Sequence, residues 1–115
     1  MVNLIEKAKE MLDKNEKILK EIVVQRAFLL KPISTIIFLT NKRIIYFRNG
    51  VFKTINLSDI AGISFISYYY LRKIYGSAGK IKIITKAGKG ILISPSIVNQ
   101  LEAYEFINKL KKKIR

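Results

Sequence analysis

No cysteine occurs in the 115 residues, so the chain forms no disulfide, no thiolate zinc cluster and no thiol nucleophile. Histidine is absent too, which removes the commonest general base and the commonest metal ligand. Acidic residues number only eight, most of them in expected helices, and no carboxylate pair suited to acid–base work stands out. Phosphate-cradling loops are also missing, because Gly76–Gly79 and Gly88–Gly90 lack the strand-to-helix setting such loops require. These absences argue against an enzyme and against a cofactor or metal. Long apolar runs are lacking as well. Ile33–Leu39 and Ile60–Ile66 are the longest, far short of the roughly 20 residues that span a bilayer. The N-terminus interleaves Glu6, Glu10 and Asp13 with lysines and has no secretion-signal core. The expectation is a cytoplasmic protein, with peripheral attachment to the inner face of the membrane left open.

What is present is apolar mass and positive charge. Half the residues are apolar, enough for one core in one domain without covalent staples. The net charge of +14 is unevenly spread. Residues 1–17 are neutral, four lysines balancing Glu6, Glu10, Asp13 and Glu16. Residues 18–94 hold 13 basic residues against Glu21 and Asp59, a net +11, and residues 95–115 add +3. Such a field favours anionic partners: lipid surfaces, nucleic acid or acidic proteins. Heavy general use of lysine is the plainer explanation.

Periodicity divides the chain. Leu4, Ile5, Ala8, Met11 and Leu12 share one face of a short amphipathic helix, with Asn3 and Glu6 spaced as a capping box. That apolar stripe suits the core, a partner or a membrane. A β-branched strand runs from Ile18 to about Leu29, and Pro32 marks the connection to the next. Ile33–Thr40 is apolar on both faces and should be largely buried. A tight turn at Thr40–Lys42 leads into Arg43–Arg48, and Asn49–Gly50 predicts a type I′ hairpin to Val51–Leu57. Asp59 sits in a turn before the strand Ile60–Ser67, where Gly62 marks a bulge. Lys80–Ile83 alternates, Ala87–Gly88 turns, and Lys89–Ser94 completes seven strands. Asn99 and Glu102 then open a helix whose face is Ala103, Phe106, Ile107, Leu110 and Ile114. Lys109 and Lys111–Lys113 oppose the negative end of its dipole.

Several of these motifs look familiar together. Phe38-Leu39-Thr40-Asn41-Lys42-Arg43-Ile44-Ile45-Tyr46 resembles the second hairpin of prokaryotic PH-like domains, the YokE-like and related families. Ile55–Ile60, Gly79–Thr85 and Phe106–Leu110 resemble their later elements in order and spacing. The resemblance implies a mainly β (α+β) fold. Its core would be a PH-like barrel of seven antiparallel strands in two orthogonal sheets, capped by a C-terminal helix. The chain then divides into an N-terminal amphipathic helix at 1–14 and the PH-like domain at 15–115. The physics of Thr40–Arg43, where Thr and Asn side chains bond turn backbone, assigns that motif to folding rather than to ligand.

Two groups remain as functional candidates. By resemblance, anionic headgroups are held near the loops joining strands one and two, three and four, and six and seven. Those loops carry Lys31, then Arg48 and Lys53, then Lys86 and Lys89. Lysines at hairpin ends also serve simply to solvate turns and guard sheet edges. The second group is Tyr68, Tyr69, Tyr70, Arg72, Lys73 and Tyr75, suited to a membrane interface, a protein contact or stacked single-stranded bases. The same residues could equally extend strands five and six. The leading reading is a non-enzymatic binding or scaffolding module that engages a protein partner, itself or an anionic membrane surface. A nucleic-acid-binding basic barrel and an oligomer-forming structural protein are the alternatives.

Overall fold

The computed structural model describes residues 4–28, 31–48, 50–67, 78–93 and 98–114. Strands β1 (Ile18–Phe28), β2 (Lys31–Thr40), β3 (Arg43–Arg48) and β4 (Val51–Asn56) form one antiparallel sheet in chain order. A second antiparallel sheet orders β5 (Ile60–Ser67), β6 (Ala78–Thr85) and β7 (Gly90–Leu92). The seven expected strands are thus present, and a two-residue β8 (Val98–Asn99) pairs with the start of β6. Helices α1 (Leu4–Glu10) and α2 (Gln100–Lys113) flank the strands.

Local chemistry explains the turns. Gly50 at φ 80° and Gly88 at φ 85° occupy the left-handed region that L side chains avoid, one in the β3–β4 turn and one in the β6–β7 turn. Asn49 and Asn3 lie outside the described residues. The β5–β6 register shifts between Ile60 and Gly62, the expected bulge. Pro32 is not in the connection but is the second residue of β2, opposite Ala27. It is tolerated there because β3 joins β2 only from Ile37 onward, so no second ladder needs its missing N–H.

From Thr35 to Thr40 both faces of β2 are buried, and two cores account for this. Ile37, Leu39, Ile44, Tyr46 and Ile55 face the second sheet, meeting Ile60, Ile81, Ile83, Ile93 and the α2 residues Ala103, Phe106 and Leu110. Ile36, Phe38 and Ile45 point the other way and are covered by α1, with Ala8 at the centre and Leu4, Ile5, Met11 and Leu12 around it. The expected stripe of the first helix therefore packs on the outer face of the first sheet.

Helix α2 buries its predicted face, with Ile114 half-buried, and lies against β1, β5 and β6. It spans the corner where β1 and β5, the outer strands of the two sheets, meet it. Lys20 on β1 bridges to Glu102 at 2.7 Å and Glu105 at 2.8 Å on this helix. Among the described residues the opposite corner, between β4 and β7, has no such cover. Among the described residues no ladder joins the sheets, so the expected closed barrel is corrected to two sheets with one open corner. Among the described residues β4 pairs only with β3 and β7 only with β6, so neither outer strand extends its sheet across the gap.

Candidate functional site

The Thr40–Arg43 turn is a structural knot. Glu16 is buried, and its carboxylate accepts from Arg43 Nε and Nη2, both at 3.0 Å, and from the Thr40 hydroxyl at 2.5 Å. Arg43 also donates to the Met11 carbonyl at 2.6 Å, just beyond α1. Thr40 Oγ1 accepts from the Lys42 and Arg43 amides, as turn chemistry predicts. Asn41 reaches outward instead: Oδ1 accepts from Lys17 N–H at 2.8 Å and Nδ2 donates to Asn15 O at 3.2 Å. Burial opposes ionisation of Glu16, but Arg43, Thr40 and the Asp13 N–H outweigh it and hold its carboxyl at about 2. Every partner is internal, so the motif anchors the segment after α1 to the β2–β3 hairpin.

The open corner is chemically different. A groove of about 310 Å³ is lined by Tyr46, Arg48 and Lys53 from the first sheet and by Lys89, Gly90, Ile91 and Leu92 from the second. Among the described residues three cations line it and no carboxylate does. Tyr46 and Lys53 sit directly opposite each other across β3 and β4. Burial pushes the Tyr46 phenol above its ordinary value, with Arg48 offsetting only part, so the hydroxyl stays protonated. Arg48 Nη1 donates to the Leu92 carbonyl, tethering β3 to β7 across the gap. Its remaining N–H groups can still meet a ligand. A second groove of about 350 Å³ lies on the same corner, lined by Thr54, Ile55, Asn56, Asp59, Thr85, Lys86, Ala87 and Ile91.

Backbone phase completes the picture. The Leu57 N–H donates to Lys42 O, which makes Ile44/Ile55, Tyr46/Lys53 and Arg48/Val51 the hydrogen-bonded pairs of the β3–β4 ladder. Phe52 and Thr54 therefore turn N–H and C=O toward the free edge of β4, and Asn56 turns its N–H. On β7, the Thr85 N–H to Lys89 O and Ile93 N–H to Ile81 O bonds set the opposite phase. Gly90 and Leu92 consequently face the gap, and Arg48 uses the Leu92 carbonyl that this phase exposes.

Of the residues singled out from sequence, Arg48, Lys53 and Lys89 come together in one groove and Lys86 lines the next, beside Asp59. Lys31 opens β2, and its side chain is outside the described set. Tyr68, Tyr69, Tyr70, Arg72, Lys73 and Tyr75 fall outside the described residues. Sequence reasoning missed Tyr46 as a groove wall and Glu16 as an anchor. The signal for Tyr46 was its parity with Arg48 on β3, whereas nothing local marked Glu16. Among the described residues no group of three acids could hold a metal, and no helix is long and apolar enough to cross a membrane.

A four-stranded and a three-stranded antiparallel sheet with a C-terminal helix across one corner define a PH-like domain. The family model of the bacterial PH domain matches residues 12–112, and the chain belongs to that family. Domains of this kind are generally binding or scaffolding modules rather than catalysts. No curated protein and no solved structure gives a significant match.

Proposed function

We propose that this PH-like domain is a non-catalytic binding module whose open corner holds an anionic group of its partner. The observation that carries the reading is the groove of Arg48, Lys53 and Lys89, three cations around one opening with no carboxylate among them. Guanidinium and ammonium groups converging on one opening suit a carboxylate or a phosphate. The Tyr68–Tyr75 segment, placed in the chain between β5 and β6, is a second contact candidate on its composition alone.

Binding should be measured against vesicles with and without anionic lipid, and against a glutamate-rich peptide. A triple variant with Arg48→Ala, Lys53→Ala and Lys89→Ala should lose binding to whichever anion the wild type takes. Replacing Lys111, Lys112 and Lys113 on α2 by alanine removes equal charge and should leave binding largely intact. Equal losses in the two variants would show that net charge, not the groove, does the binding.

A further inference from the structure

The open corner offers more than charge. β4 is an outer strand whose outward N–H groups, at Phe52, Thr54 and Asn56, have no hydrogen-bond partner among the described residues, and the outward carbonyls of Phe52 and Thr54 have none either. Facing them is β7, whose Gly90 peptide groups and Leu92 N–H also point into the gap. Two grooves run along this gap, and both reach Ile91. An outer strand is ordinarily guarded against pairing by a helix, a proline or a bulge. Among the described residues none of these covers β4, whose exposed positions are Val51, Lys53, Thr54 and Asn56.

We infer that the β4 edge is a strand-addition site for an extended acidic segment of a partner protein. This rests on the open-corner reading above and names the partner and its mode of binding. An added strand would pair with the outward groups from Phe52 to Asn56, so a segment of about five residues fills the edge. Side chains on an added strand alternate between two faces. Those on the inner face would stand beside Lys53, with Arg48 and Lys89 lining the same groove, which selects Glu or Asp at every second position. The outer face selects no charge. A second copy of this chain is a poorer occupant, because pairing β4 with β4 brings Lys53 and a net charge of +14 against their own likeness. A lipid headgroup can take the cations but has no ladder to offer the amides.

The test uses the full-length, nitrogen-15-labelled protein and a synthetic peptide of about eight residues alternating Glu with Val or Thr. Amide exchange read by NMR should be fast at Phe52, Thr54 and Asn56 in the free protein. All three amides should slow together when peptide is added. N-methylating alternate peptide nitrogens preserves every side chain and charge. In one register it removes the donors that face β4 and should weaken binding at least about tenfold, and in the other it should not. Thr54→Pro deletes an outward N–H that the β3 ladder does not use, so the fold should tolerate it. It should weaken peptide binding while leaving attraction to anionic vesicles unchanged; if that variant does not fold, the N-methyl series carries the same comparison.

No protection at the three amides at millimolar peptide overturns the proposal, as does equal affinity for both N-methyl registers. Protection that rises with protein concentration alone would assign the edge to a second copy and also overturn it. Loss of binding in the Arg48, Lys53 and Lys89 triple variant without amide protection would leave the groove reading standing and refute the strand.

Discussion

Glu16 holds its charge in a place that water does not reach, with a side chain fully buried against Arg43, Thr40 and the Asp13 amide. Removing one member of such a pair leaves the other charge uncompensated, which is why Glu16→Gln should destabilise the domain by on the order of 3 kcal/mol at neutral pH. Acid should reproduce the loss in the wild type. The folded carboxyl titrates near 2 against an ordinary 4.5, so its contribution is complete above the ordinary value and disappears as pH falls from there toward 2. The same shift corresponds to about 3 kcal/mol by linkage. Urea denaturation at neutral pH and at successively lower pH should show a steep decline in the wild type across that window and a flatter one in Glu16→Gln. Parallel declines would remove Glu16 as the anchor.

At the scale of elements, α1 supplies what the first sheet cannot supply for itself. Ile36, Phe38 and Ile45 point away from the second sheet, and without a cover they would form an apolar patch in water. Ala8 is the centre of that cover at 1 % exposure, and its small side chain sets how closely the helix approaches the sheet. Ala8→Asp should lift α1 by burying a carboxylate without a partner, at about 2 kcal/mol in thermal or chemical unfolding. It should also increase binding of a hydrophobic dye and proteolysis between α1 and β1. A variant that melts lower without extra dye binding would mean that α1 stays in place. The knot at Glu16 and Arg43 lies at the end of this same segment, so helix and knot hold it from two sides.

The whole molecule carries a net +14, with 22 basic residues against eight acidic ones, and carboxylates pair with Lys20, Lys42 and Arg43. Like charges of that excess repel one another in the compact state. Raising salt from about 50 to about 300 mM shortens the screening length and should raise Tm modestly. The same salt should weaken binding of an anionic partner. A wild-type Tm that falls with salt would show that attractive pairs outweigh the repulsion. The open corner belongs to this scale too, since neither β4 nor β7 forms a gap without the other.

Strand and helix boundaries were legible because their signals are local: alternation along Lys80–Ile83, glycine at 50 and 88, and three- and four-residue spacing through Ala103–Leu110. The double burial of β2 was legible for the same reason, since an apolar run reads as covered on both faces without saying by what. The folding role of Thr40–Arg43 also followed from turn chemistry. Tertiary structure decided the rest, through contacts between residues far apart in the chain. Arg43 meets Glu16 across 27 positions and Arg48 meets Leu92 across 44, and no periodic pattern encodes such a pairing. Sequence alone determined a basic, two-helix β domain with candidate cations in its turns. Only the packing of two sheets, with α2 across one corner and no ladder between β4 and β7 among the described residues at the other, brought Arg48, Lys53 and Lys89 to one groove.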